Sequence, residues 1–206
     1  MNYEIKIIQS MFIDCNCYLI KNNEKNILID PCVNIDTLKK YGVNNVDAIF
    51  ITHGHVDHIL YLKQIVNKFN CIIYFTEKCL EKIYDDNLNL SSMFNYPLKI
   101  DKNSFKYKFV YDNDIIDINN LKFKIITTPG HTNCSISILL ENNLFTGDTL
   151  FNSSIGRTDF PTGNTLQLLS SLKKILSFKC NFVIYPGHGM MSTVEDEIKN
   201  NNYLKF

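Results

Sequence analysis

Apolar residues along this chain fall into short runs that alternate with segments of helical spacing. Runs with strand character are bounded by polar turns, and they predict β-strands at 3–8, 16–20, 26–29, 48–52, 71–75, 106–111, 122–127, 135–140, 143–145 and 182–185. Apolar residues three and four apart predict helices at 36–41, 56–69, 77–84, 166–176 and 193–200. No linker, repeat or break divides the pattern, so we expect a single domain over residues 1–206.

The polar, irregular stretch 85–104 lies outside these elements. It is consistent with an active-site loop and equally with a plain surface connection. Both interpretations stay open at this point.

Composition narrows the classes of function. The formal net charge is zero, which gives no basic footprint for nucleic acid. No apolar run approaches the ~20 residues that span a bilayer, and the N-terminus lacks the layout of a signal peptide. The seven cysteines are an odd number and are dispersed, so we expect free, mostly buried thiols and a cytoplasmic protein. We interpret Cys15-Asn-Cys17 as structural, because C-x-C alone is a weak metal signal.

All five histidines occur in short segments with the spacing of metal ligands. Together with two aspartates they give seven candidate ligands: His53, His55, Asp57 and His58 in T-H-G-H-V-D-H, His131 in T-P-G-H-T, Asp148 in T-G-D-T, and His188 in Y-P-G-H-G. Imidazole and carboxylate suit zinc, iron, manganese or nickel. Seven ligands are enough for two ions that share one carboxylate, which is typical of an open catalytic pair.

Each ligand group directly follows an apolar run, so the ligands are expected on loops at strand ends. A further candidate is Arg157, the only arginine in a chain whose usual cation is lysine. A position that uses arginine here can require its planar, two-pronged donor group.

The motifs T-H-G-H-V-D-H, T-P-G-H-T, G-D-T-L-F and P-G-H-G, in this order, resemble those of the metallo-β-lactamase-fold hydrolases from about residue 16 onward. The resemblance implies an α/β fold, a four-layer αββα sandwich with two metal ions. The positions of the motifs in the family also imply the ligands of each ion. The first ion would be held by His53, His55 and His131, and the second by Asp57, His58 and His188. Asp148 would bridge the two ions.

Finer features resemble the short, single-domain glyoxalase II-like (hydroxyacylglutathione hydrolase-like) subgroup. Asp148 stands where the commonest zinc β-lactamases have cysteine, and Arg157 matches the basic residue that contacts the thiol cofactor. Two differences concern glutathione: the helical C-terminal domain of full-length glyoxalase II is not in the 206 residues, and Met190 replaces a tyrosine. The resemblance therefore implies a metal-dependent hydrolase of S-lactoylglutathione or a related acyl-thiol, with Arg157 binding the substrate.

The chemistry of the leaving group favours a thioester. A thiolate, with a pKa near ~8.5, departs without a strong acid, and Asp57 and Asp148 are both committed to metal as catalytic ligands. We expect two divalent ions, zinc first, with iron or manganese as alternatives, and a small acyl-thiol as partner rather than nucleic acid or membrane. Oligomeric state is not indicated. Two alternatives stay open, a mononuclear iron persulfide dioxygenase-like enzyme and a non-catalytic metal-binding protein.

Overall fold

The structure is a computed structural model that describes residues 2–23, 25–98, 100 and 105–205. The chain divides into two compact units, Met1–Val110 and Tyr111–Phe206. None of the helices in the described ranges has the length and apolarity to cross a bilayer. A single hydrolase domain over 1–206 stays a prediction.

The first unit is built on a six-stranded sheet whose strands lie in chain order. The strands are β1 (Glu4–Gln9), β2 (Asn16–Asn22), β3 (Lys25–Ile29), β4 (Ala48–Phe50), β5 (Ile72–Phe75) and β6 (Lys106–Phe109). The first three pair antiparallel and the rest pair parallel. The helices are α1 (Ile35–Lys40), α2 (Val56–Ile59), α3 (Leu62–Phe69) and α4 (Glu77–Tyr84), with a 3₁₀ turn at Ser91–Phe94.

The second unit contains another six-stranded sheet, in the order β14-β13-β10-β9-β8-β7. Its strands are β7 (Ile115–Ile118), β8 (Leu121–Thr127), β9 (Ile136–Leu140), β10 (Asn143–Gly147), β13 (Val183–Pro186) and β14 (Ser192–Thr193), beside a separate hairpin of β11 (Leu150–Phe151) and β12 (Ser154–Ile155). The helices are α5 (Thr165–Ser177) and α6 (Val194–Asn200), followed by a 3₁₀ turn at Asn202–Leu204. Leu168, Leu172 and Ile175 of α5 pack into this unit's apolar core with Leu144 and Ile184 of the sheet.

The predicted strands are all present, with ends within two residues of those expected. One predicted helix, 56–69, is wrong as a single element, because the structure has α2 and α3 instead. The Tyr61 N–H donates to the Pro31 carbonyl at 3.1 Å, so it is not available to the carbonyl of Asp57 one turn back. Apolar spacing continues through the break, and the sequence pattern therefore could not show it.

Four strands were not predicted. β11, β12 and β14 have two residues each, and pairing with neighbouring strands defines them. β7 lies at the edge of its sheet and is exposed or half-buried throughout, so it lacks the apolar run that marks a buried strand.

Candidate metal centre

Three predicted ligands of the second unit come together because of strand direction. β8 and β10 are both antiparallel to β9, and β10 is parallel to β13, so β8, β10 and β13 run the same way. Their carboxyl ends therefore meet at one edge of the sheet. His131, Asp148 and His188 follow these three ends within four residues.

The contacts of Asp148 have the spacing of metal ligands. Its Oδ2 lies 3.5 Å from His131 Nε2 and 3.6 Å from His188 Nε2. Two ligand atoms at ~2.0–2.1 Å from one tetrahedral zinc ion are ~3.3–3.4 Å apart. One carboxylate oxygen thus stands at ligand spacing from two histidines.

The ring of His131 is oriented by the backbone. Its Nδ1 lies 2.7 Å from the Arg157 carbonyl oxygen, and because a carbonyl only accepts, Nδ1 carries the proton. Nε2 is then the unprotonated ring nitrogen, and it faces Asp148.

The loop carrying Arg157 approaches so closely that residue 156 must lack a side chain. A Cβ on Gly156 would lie 1.9 Å from the Asp148 carbonyl oxygen. The turn that presents Asp148 is closed by Thr146 Oγ1, which donates to the Leu150 carbonyl at 2.7 Å. The Gly187 N–H also donates to the Gly147 carbonyl at 2.8 Å, which ties the His188 loop to the Asp148 turn.

Asp30 organises the ligands of the first unit. β3 and β4 are parallel, so Asp30, directly after β3, meets the residues that follow β4. It is 1% exposed and accepts from the Thr52 N–H at 2.8 Å, the Thr52 hydroxyl at 2.6 Å and His58 Nδ1 at 2.8 Å. His58 Nε2 is then left 3.7 Å from Asp57 Oδ2, again close to ligand spacing.

Thr52 extends this arrangement to His53. Since the Thr52 hydroxyl donates to Asp30, its oxygen accepts from His53 Nδ1 at 3.2 Å. His53 Nε2 then lies 3.1 Å from His55 Nδ1, so these two nitrogens lie close enough together to be ligands of one ion. Both rings are buried, at 1% and 3% exposure.

Two described residues of the segment 85–98 make contacts near the metal motif or the N-terminal loop. The buried Asn89 uses its carbonyl to accept the Val56 N–H at 2.8 Å, at the start of α2. Phe94 packs edge-on against Phe12, with ring centroids 5.3 Å apart. Residues 99 and 101–104 of the predicted loop lie outside the described residues, and a role for the loop in catalysis stays a prediction.

The cysteines are free thiols, as the odd number predicted, and six of them are buried. Cys15 directly precedes β2, Cys17 belongs to β2, and Cys32 contacts both of them. The pKa of Cys17 is raised well above its usual value, chiefly by a side-chain hydrogen bond with Cys32 and secondly by burial. The pKa of Cys32 is also raised well above its usual value, chiefly by burial. Those two groups are therefore held as neutral thiols.

Sequence reasoning missed two residues beside the predicted ligands, Asp30 and Cys15. A carboxylate directly after the buried run I-L-I was a usable signal for Asp30, because it stands at the end of a strand beside the metal motif. Cys15 gave only the weak signal of C-x-C, which we interpreted as structural, yet its thiol lies within 4.8 Å of a carboxylate oxygen of Asp57 and a ring nitrogen of His58.

The side chain of Arg157 is engaged with its own loop. Its Nε and Nη2 donate to the two carboxylate oxygens of Asp159 at 2.7 and 2.5 Å, and the guanidinium lies 4.0 Å from the Phe160 ring centroid. The hydrogen bonds from Arg157 lower the pKa of Asp159 to about 2. This geometry braces the loop, and a contact of Arg157 with substrate stays a prediction.

Comparison with known proteins identifies the family. The sequence profile of the metallo-beta-lactamase superfamily matches residues 11–188. The chain belongs to this superfamily. The predicted fold class is confirmed: this is the metallo-β-lactamase fold, an α/β fold with two β-sheets flanked by helices.

Two relatives within the metallo-β-lactamase superfamily are informative. The probable metallo-hydrolase MJ0888 of Methanocaldococcus jannaschii is 36% identical over 84% of this chain and 87% of its own length. The hydroxyacylglutathione hydrolase GloC of Haemophilus influenzae is 31% identical over 97% of both chains. The family supports a metal-dependent hydrolase.

Two solved structures of the metallo-β-lactamase fold are also similar. The B3 metallo-beta-lactamase BLEG-1 has a TM-score of 0.86 and 28% identity, covering 98% of this chain and 100% of that one. TTHA1623, solved in a di-iron-bound form, has a TM-score of 0.84 and 25% identity, covering 97% and 100%. The histidine and aspartate donors described above fit divalent metal ions of this kind.

Proposed function

We propose that this protein is a dinuclear metal-dependent hydrolase of acyl thioesters, of the kind represented by S-lactoylglutathione. The observation that carries the proposal is the single Asp148 oxygen at ligand spacing from both His131 and His188. The family resemblance assigns these two histidines to different ions. The likeness to GloC over 97% of both chains supports the substrate class.

The seven ligands divide into two sets with one shared member. We assign His53, His55 and His131 to the first ion, Asp57, His58 and His188 to the second, and Asp148 to both. Zinc is the expected metal, with iron or manganese as alternatives. When bound, such a pair supplies a hydroxide nucleophile near neutral pH and polarises the substrate carbonyl. Hydrogen bonds from neighbouring residues orient the rings of His53, His58 and His131 for this role.

The donor set also bears on the leaving group. Asp57 and Asp148 are ligands in this proposal, and so neither is available to protonate a departing amine. A thiolate departs unprotonated near neutral pH, since its conjugate acid has a pKa near ~8.5. This favours thioesters over β-lactams and peptides.

The decisive experiment combines metal analysis of purified protein with a substrate panel. We expect two ions per chain, hydrolysis of S-lactoylglutathione or another acyl-thiol, and complete loss of hydrolysis after chelation. The panel includes a chromogenic β-lactam, because BLEG-1 is similar, and glutathione persulfide with oxygen uptake recorded. One bound iron with oxygen uptake, or β-lactam turnover exceeding every thioester, would refute the proposal.

A second test concerns Arg157. If its guanidinium binds the thiol carrier, Arg157→Lys will raise KM at least about tenfold with little change in kcat, because a bidentate charged contact is worth roughly 1.5–3 kcal/mol. Asp159→Asn is the matched control, since it releases the guanidinium without removing it. Under the binding role, Asp159→Asn leaves KM unchanged or lowers it. If both variants instead lower Tm equally at unchanged KM, Arg157 only braces its loop.

A further inference from the structure

Cys15 is placed beside the ligands of the second ion by a different part of the fold. It immediately precedes β2, and its side chain is fully buried. Its sulfur, a carboxylate oxygen of Asp57 and a ring nitrogen of His58 all lie within 4.8 Å of one another. Thiolate, carboxylate and imidazole groups are each donors that zinc accepts.

The position of the Cys15 backbone is fixed. Its carbonyl accepts the Ser10 N–H at 2.8 Å and the Cys32 thiol at 3.4 Å. These two hydrogen bonds hold the Cys15 backbone in place, and so they fix the position from which its side chain extends.

The His58 ring points to a ligand on independent grounds. Asp30 holds its Nδ1 at 2.8 Å, and the ring is fully buried. A carboxylate–histidine pair of this kind orients the other ring nitrogen of metal-binding histidines. His58 is thus set up for a metal by contacts that do not involve Cys15.

We propose that the Cys15 thiolate is a further ligand of the metal ion held by Asp57 and His58. The proposal rests on the proposed function, since it assumes the metal assignment given above. A sulfur at ~2.3 Å and a nitrogen at ~2.1 Å on one tetrahedral zinc ion are ~3.6 Å apart. The 4.8 Å limit on the observed group therefore requires these atoms to approach by about 1.2 Å at most when the ion binds.

A thiolate changes which metal the site prefers. Oxygen and nitrogen donors alone also suit manganese, whereas sulfur favours zinc. Cys15 would thus bias the second ion toward zinc, which the seven motif ligands do not do by themselves.

X-ray absorption on the wild-type protein loaded with two zinc ions tests this directly. We expect a sulfur shell near ~2.3 Å in addition to the nitrogen and oxygen shell. In the cobalt-substituted protein we expect a thiolate-to-cobalt charge-transfer band in the near ultraviolet. Neither readout depends on activity.

The variants Cys15→Ser and Cys17→Ser locate the sulfur. Both thiols are fully buried, and Cys17 lies two residues away, so Cys17→Ser is the matched control. We expect Cys15→Ser to lose the sulfur shell and the band and to bind zinc at least about tenfold more weakly, while Cys17→Ser keeps all three properties.

The outcomes separate this inference from the proposed function. Two bound zinc ions with only nitrogen and oxygen neighbours overturn the role of Cys15 and leave the hydrolase proposal intact. Fewer than two ions in the wild-type protein overturn the dinuclear proposal, and the absence of sulfur around whatever ion is bound overturns the role of Cys15. If Cys15→Ser does not fold, the wild-type absorption spectrum still decides the question.

Discussion

Replacing Asp148 with alanine will lower kcat/KM for thioester hydrolysis at least about a thousandfold, equivalent to ~4 kcal/mol of lost transition-state stabilisation. The reason is the double contact of its Oδ2, at ligand spacing from both His131 and His188. Removing that oxygen takes one ligand from each of the two proposed ions and removes the bridge between them. Steady-state kinetics with S-lactoylglutathione, together with metal content per chain, measure the effect.

Two other carboxylates calibrate the Asp148 result. Asp57→Ala should chiefly lose the second ion, because it removes a ligand from only one set. Asp117→Ala, on the exposed edge strand β7, should change neither metal content nor rate. Near-normal turnover by Asp148→Ala with both ions retained would show that its proposed role as the bridge is wrong.

Replacing Asp30 with asparagine will weaken metal binding by about 10–100-fold, although Asp30 is not itself a ligand. Asp30 accepts three hydrogen bonds, from Thr52 twice and from His58 once. An amide has one acceptor oxygen and one donor nitrogen, so at least one of these donors loses its acceptor in a buried place. We expect a loss of ~1–3 kcal/mol in the free energy of unfolding of the metal-free protein.

Asp47→Asn is the control for Asp30. Asp47 also accepts three hydrogen bonds, from Lys25, Asn26 and Asn45, but none of them reaches a predicted metal ligand. Urea unfolding of the metal-free proteins and zinc titration separate the two effects. If Asp47→Asn weakens zinc binding as much as Asp30→Asn does, the orientation of His58 by Asp30 is not the cause.

The sequence predicted the elements well where burial is simple. Apolar runs located β2 to β5, β9 and β10, because strands buried on both faces leave continuous apolar sequence. In β8 the apolar residues begin in alternation with lysines, which is typical of a strand with one exposed face. The prediction of one helix over 56–69 failed because a single tertiary hydrogen bond interrupts it. The Tyr61 N–H donates to the Pro31 carbonyl, although the apolar spacing continues through this point. The sequence did not predict edge strand β7, because the strand is exposed or half-buried and so has no continuous apolar run.

The candidate site shows the same division. His53, His55 and His58 are recognisable because short spacing in one segment is itself the signal. Asp30 lies 28 residues before His58, and only the parallel pairing of β3 with β4 brings them together. Cys15 precedes a different strand again, so its nearness to Asp57 follows from the three-dimensional fold and from no local pattern.

The histidines of this protein depend on two unlike kinds of support. His58 relies on the side chain of Asp30, and so one substitution removes its acceptor. His131 relies on the main-chain carbonyl of Arg157, which every amino acid at that position presents equally. Position 157 can therefore exchange its side chain during evolution, and with it the group offered to a substrate, while His131 keeps its orientation. Recognition can diverge at this loop without a matching cost to the metal chemistry, whereas position 30 has no such freedom.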